Sequence, residues 1–157
     1  MRTAVDTNVL LDLLAGDADW VAAARTALAG ALSVGSLAVC PVVYAELAAN
    51  FPDREELIRF TRVFQIQVDD FSIDTLDLAA AAWRRYAQAR RKGVQCPRCG
   101  RSTEVTCSTC GASISWRQHI LADFLVGGHA AAQADRLLTR DLHYYRRYFP
   151  TLTVIAP

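Results

Sequence analysis

Apolar and polar positions along the chain fall into blocks that switch between strand-like and helix-like periods. The run at 2–5 (RTAV) is short and apolar, reads as a buried strand and ends at Asp6. Thr7 and Asn8 follow where polar side chains cap a helix, which the pattern carries to about Leu14 and ends near Gly16. Asp17 opens a second helix, with Trp20, Ala23, Ala24, Ala27 and Leu28 on one apolar face and Gly30 interrupting its last turn. Residues 33–39 form a second buried strand. Pro41 suits the first turn of the next helix, which holds Val42, Val43, Ala45, Glu46 and Leu47. Residues 53–64 are helical, with Glu55 and Glu56 near the start, where negative charge favours the helix dipole. An extended segment at 65–68 follows. A long helix then opens at Asp74 or Thr75 and runs to about Arg91, with Leu78, Ala81, Ala82, Tyr86 and Ala89 as its apolar positions.

Gly93 ends that helix, and no helical period exists over 94–115. Helical pattern resumes at Arg117 and passes Gly128 to about Ala132. A late strand at 136–139, an aromatic-rich helix at 142–148 and a final strand at 152–155 complete the chain. The helical period is expected to divide Tyr144, Tyr145 and Tyr148 between core and surface. Strands alternating with helices predict an α/β fold with a mainly parallel sheet and helices on both faces. At 157 residues this is one domain, with 94–115 inserted in it.

Composition adds little, since 52% apolar and 21% charged residues describe a globular chain and exclude a disordered one. A net charge of +1 selects no partner, but the charge is unevenly spread. Residues 1–50 hold five acids against Arg2 and Arg25. The stretch from Arg84 to Glu104 holds seven bases and one acid. Arg84, Arg85, Arg90, Arg91, Lys92, Arg98 and Arg101 therefore form either a solvated face or a surface for backbone phosphates. The chain shows no secretory signal and no membrane-length apolar run, so the expected location is cytoplasmic, without a membrane partner.

Four acids carry the candidate chemistry. Asp6 and Asp141 follow strands, and open parallel sheets bind ligands beyond the carboxyl ends of their strands. Glu46 lies in the helix after the second strand. Asp123 lies in ILADFLV, where burying an uncompensated carboxylate is costly. Convergent carboxylates relieve their repulsion by holding protons or cations. Oxygen ligands without histidine favour Mg²⁺ or Mn²⁺. Such ions can activate water and neutralise a leaving oxygen in phosphodiester hydrolysis. Each acid also has a structural alternative: a helix cap for Asp6, a solvent-facing position for Glu46, a paired carboxylate for Asp123 and a turn or cap for Asp141. Asp12 reads as structural. Among the histidines, His119 shares a helix face with Asp123, His129 suits a structural hydrogen bond and His143 suits the surface.

Taken together, MRTAVDTNVLLDLLAGD, PVVYAEL, HILADFLVGGHA and ADRLLTRDLHYYRRYFPTLTVIAP resemble the PIN domain family, and within it the VapC-type toxin ribonucleases. The likeness covers the chain outside the cysteine-bearing insertion. It implies a three-layer α/β/α sandwich and Mg²⁺- or Mn²⁺-dependent endonucleolytic cleavage of RNA. It further implies that Asp6, Glu46, Asp123 and Asp141 are the catalytic metal-binding acids. Thr7 and Asn8 of the DTN signature, and Thr139 of the T-x-D motif, correspond to polar groups that orient them. An antitoxin partner and a homodimer follow from the same resemblance. Two other readings stay open: a PIN nuclease of RNA maturation or DNA processing, and a non-catalytic, zinc-containing nucleic-acid-binding protein.

The insertion departs from the plain family pattern. CPRCG and CSTCG space Cys96, Cys99, Cys107 and Cys110 as C-x2-C-x7-C-x2-C, which predicts a tetrahedral structural Zn²⁺ site in a zinc-ribbon-like module. Four thiolates leave no open position for catalysis. The module either extends the substrate surface, through Arg98 and Arg101, or braces the fold and mediates association. Cys40, flanked by apolar residues, reads as a small buried hydrophobe.

Overall fold

In the computed structural model, residues 1–14, 17–89, 93–95, 101–114 and 120–157 are described. The first half comprises β1 (Arg2–Val5), α1 (Thr7–Asp12), α2 (Ala18–Ser33), β2 (Ser36–Val39), α3 (Pro41–Ala48), α4 (Arg54–Val63), β3 (Ile66–Val68) and α5 (Ile73–Ala89). Four two-residue strands follow, β4 (Val94–Gln95), β5 (Ser102–Thr103), β6 (Val105–Thr106) and β7 (Ser113–Ile114). The chain closes with α6 (Leu121–Gln133), β8 (Arg136–Leu138), α7 (Leu142–Tyr148) and β9 (Val154–Ile155).

Five strands make one sheet in the order β3-β2-β1-β8-β9, with every pairing parallel. Ala4 lies between Ala38 on one side and Leu137 on the other. These central strands read as unbroken apolar runs because a parallel sheet is covered on both faces. Val5, Leu37, Val39 and Leu138 are accordingly buried. From β1 the chain first builds outward through β2 and β3, then returns to place β8 and β9 on the other side. Right-handed crossovers in opposite directions put their helices on opposite faces. The crevice between the ends of β1 and β8 is thus the switch point of the sheet, where ligands bind in open α/β folds.

Several elements differ from the sequence reading for physical reasons. Asp6, with extended backbone, takes the cap position of α1, so Thr7 and Asn8 are already inside the helix and free to bond elsewhere. The second helix runs through Gly30 to Ser33, its inward positions being Ala24, Leu28 and Ala31, while Trp20 is 46% exposed. In α5 the buried stripe is Thr75, Ala79, Ala82 and Tyr86, and Leu78 faces solvent. Small residues let α6 approach closely. A Cβ on Gly128 would lie 2.5 Å from the Thr75 carbonyl oxygen, and one on Gly127 would lie 2.2 Å from the Phe149 ring.

The expected helical start at Arg117 lies outside the described residues. Ile120 is extended (φ −112°, ψ 171°), so α6 begins at Leu121 and Asp123 stands in its first turn. The three tyrosines of α7 are all buried. Their spacing of i, i+1 and i+4 covers a single stripe of about 100° on a helix, which the sequence reading split in two. Tyr144 and Tyr148 pack edge-on against Phe124, with ring centroids 5.4 and 5.5 Å apart. Within 94–115, β4 pairs antiparallel with β5, and β6 with β7. Among its described residues the insertion thus holds two antiparallel strand pairs, with Cys107 and Cys110 between β6 and β7 in sequence, while Cys96 and Cys99 lie outside the described residues. Among the described residues, no helix is long and apolar enough to cross a membrane.

Candidate active site

The neighbouring ends of β1 and β8 deliver two polar turns to one place. The Asp6 N–H donates to the Leu138 carbonyl at 3.0 Å, locking the turn after β1 to the last residue of β8. Thr139 Oγ1 donates to Asp6 Oδ2 at 2.6 Å, and Asn8 Nδ2 donates to the same oxygen at 2.8 Å. Thr139 Oγ1 in turn accepts the Asp141 N–H at 3.0 Å, and Asn8 Oδ1 accepts the Arg140 N–H at 3.2 Å. Thr7 reaches the other way and donates its hydroxyl to the Glu46 carboxylate, tying α1 to α3.

Asp123 turns back over the first turn of α6 to accept the Ile120 N–H at 2.8 Å. Asp141 caps α7 by accepting the Tyr144 N–H at 3.3 Å. All four acids line one cleft of about 320 Å³, together with Thr7, Asn8, Leu11, Arg140, Tyr144 and Tyr145. Asp6 is buried, Asp123 half-buried, and Glu46 and Asp141 exposed. They come from four separate elements or turns, brought together by the switch point.

Burial pushes the Asp6 carboxyl up from its ordinary value of 3.8 to about 6. Hydrogen bonds from Thr139, the Thr7 amide and Tyr145 oppose the rise, while the nearby Asp123 charge adds to it. Burial also raises the Tyr144 and Tyr145 phenols, and the acids beside them add to that, so both hydroxyls keep their protons. Among the described residues, no three His, Cys, Asp or Glu side chains are already gathered closely enough to hold a metal ion. The chemistry of the donors nevertheless fits a hard cation. They are carboxylate oxygens without histidine or thiolate, and one of them is buried at a cost that a neighbouring positive charge would relieve.

A pH dependence follows from Asp6. Between its unfolded and folded values, the folded chain keeps a proton that the unfolded chain has released. Metal-free protein should therefore lose stability as pH rises from about 4 to about 6, by about 3 kcal/mol from this group, and level off above. Denaturant titrations of chelator-treated protein across that range measure the effect. Subtracting the curve for Asp6→Asn should isolate it, and identical curves for the two proteins contradict it.

Of the predicted basic residues, three are described, and these lie away from the cleft lining. Arg84 and Arg101 are exposed, and Arg85 donates from Nη2 to the Tyr148 carbonyl at 2.6 Å, holding the end of α7. Arg90, Arg91, Lys92 and Arg98 lie outside the described residues, as does His119. His129 is buried and bonds Asp69 through Nε2 at 2.8 Å, and His143 is exposed. Asp12 is buried and pairs with Arg140 at 3.2 Å.

Four cleft residues lie outside the predicted site: Leu11, Arg140, Tyr144 and Tyr145. Arg140 is the middle residue of the T-x-D motif, and Tyr145 belongs to the tyrosine stripe of α7. In the insertion, Cys107 is the first residue of a tight turn. Its carbonyl accepts the Gly111 N–H at 2.8 Å, and Gly111 has φ +71°. Hydrogen bonds from the Cys110 and Thr109 amides lower the Cys107 thiol below its ordinary value. Cys40, by contrast, is fully buried, and burial pushes its thiol up.

The likeness to known proteins agrees with this geometry. In fold, the chain resembles VapBC2 from Rickettsia felis bound to a DNA fragment from their promoter, with TM-score 0.63 and 17% identity over 99% of this chain and 98% of that one. It also resembles FitAB bound to the IR36 DNA fragment, with TM-score 0.53 and 17% identity over 99% of this chain and 94% of that one. No curated protein sequence matches it. The PIN domain model matches residues 3–150, which spans β1 through α7, and so the chain belongs to the PIN-domain family.

Proposed function

We propose that this protein is an endoribonuclease that hydrolyses RNA phosphodiester bonds with Mg²⁺ or Mn²⁺, and that it acts as the toxin of a toxin–antitoxin pair. One observation carries the reading: Asp6, Glu46, Asp123 and Asp141 line a single cleft at the switch point of a PIN-type sheet. Their oxygens would hold the cation, which when bound supplies Lewis acidity and a more acidic water. The chain's own work is orientation. Thr139 and Asn8 fix one oxygen of Asp6, and Thr7 fixes Glu46. Asp141 stays at the mouth, anchored by the first turn of α7. Tyr144 and Tyr145 wall the cleft with protonated, buried phenols that keep bulk water from that side.

The motif resemblance to VapC-type ribonucleases, with the fold likeness to VapBC2 and FitAB, supports an RNA substrate, an antitoxin partner, a homodimer and a cytoplasmic setting. In the insertion, Cys96, Cys99, Cys107 and Cys110 would hold a structural Zn²⁺. The amides that turn toward Cys107 favour its thiolate form, which supports this reading.

The test is cleavage of a broad RNA panel. Mg²⁺ or Mn²⁺ should support cleavage, a chelator should stop it, and added Mn²⁺ should restore it. Cleavage that persists in chelator, or binding without cleavage across the panel with either metal, defeats the reading.

A further inference from the structure

We propose that Arg140, held between the Trp20 ring and the Asp12 carboxylate at the rim of the acidic cleft, contacts a phosphate of the RNA, with Trp20 and Asp12 as its positioning residues. This rests on the RNA-cleaving reading above and adds to it the group that receives the polyanion. A cleft lined by four carboxylates repels phosphate, and Arg140 is its one positively charged lining residue among those described.

The side chain is held by two contacts, and the backbone by a third. Its guanidinium carbon lies 4.9 Å from the centre of the Trp20 ring. Its Nη1 lies 3.2 Å from Asp12 Oδ1. Its backbone N–H is tied to Asn8. Stacking and a carboxylate contact are the ways a planar guanidinium is pre-organised, leaving its other N–H groups to bind. A device meant only to neutralise Asp12 would engage both carboxylate oxygens. Instead, among the described residues Asp12 Oδ2 is buried without a hydrogen-bond partner, and the Arg140 side chain stays 40% exposed. Trp20 is 46% exposed on the first turn of α2, where a core role gives it no reason to be, and its visible partner is this arginine.

The experiment uses the full chain and labelled mixed-sequence RNA oligonucleotides. Binding is measured in chelator over a salt series, and cleavage in Mn²⁺, for wild type, Arg140→Gln, Arg140→Lys and Trp20→Ala. Arg140→Gln should reduce the slope of log affinity against log salt by about 0.7, the share of one single-strand phosphate contact. It should also raise KM about 10- to 100-fold, with a smaller change in kcat. Arg140→Lys should keep the slope but not the KM. Trp20→Ala should do the same, because the charge remains while its stacked geometry is lost. Since Arg140→Gln strands the buried Asp12, thermal melts are run alongside, and if it does not fold the other two variants decide. Wild-type slope and KM in the folded variants, with wild type still cleaving, overturn this proposal alone. Wild type that binds no RNA at any salt overturns the reading beneath it as well.

Discussion

Replacing Asp6 by asparagine should make the protein more stable and almost inactive at the same time. The side chain keeps its shape, and its oxygen can still accept from Thr139 Oγ1, which lies 2.6 Å from Asp6 Oδ2. What disappears is a buried carboxylate whose pKa has been driven to about 6. At neutral pH without metal, removing that charge should stabilise the fold by about 3 kcal/mol. Cleavage should fall on the order of 10³-fold, the scale set by losing several kcal/mol of charge stabilisation around a cation. Denaturant melts and RNA cleavage on one preparation measure both. A variant that is both more stable and as active as wild type would show that the cleft does not use its most buried acid. A variant that merely unfolds would show that Asp6 is a structural cap.

The second large effect concerns the insertion. In β6 and β7 the side chains of Val105, Thr106, Ser113 and Ile114 are exposed, and such short strands bury too little to hold the segment together. A closed four-thiolate zinc site contributes on the order of 10 kcal/mol or more of apparent binding free energy, and that would supply the missing folding energy. Purified protein should therefore carry a single zinc per chain, and Cys107→Ser should lose it. Stripping the zinc should open residues 94–115 to protease while the main sheet, which shares no strand with these pairs, survives. Elemental analysis and limited proteolysis read this out. Zinc-free protein that is equally protease-resistant over 94–115 sinks the zinc assignment and leaves the nuclease reading untouched.

Much of this architecture is written locally. The RTAV strand, Pro41 at the first turn of α3, Asp17 at the opening of α2, the helix after Asp53 and the RLL strand each declare themselves by period or by a residue suited to a helix start. Asp6 and Asp141 are legible for the same reason, since each follows a strand. Glu46 and Asp123 are legible as motifs, but their meeting is not, because it depends on α3 and α6 arriving from either side of the switch point. Arg140 was hidden because its partners, Asp12 and Trp20, sit far away in sequence and near the opposite terminus. The dense basic run at 84–104 drew attention as a phosphate surface. Density of charge does not reveal that Arg85 is occupied with the Tyr148 carbonyl, or that the described cleft lining takes its positive charge from Arg140. The tyrosines of α7 were misread by counting them individually instead of projecting them on one helix.

If the four carboxylates at the β1–β8 crevice make a metal-dependent RNA-cleaving site, RNA cuts must depend on Asp6. Mapping new 5′ ends in total cellular RNA, incubated with Mn²⁺ and either wild-type protein or Asp6→Ala, tests it most directly. Wild type should cut at discrete, reproducible positions, and Asp6→Ala should leave those positions intact. The same cuts made by both proteins, or none made by wild type, contradict the account.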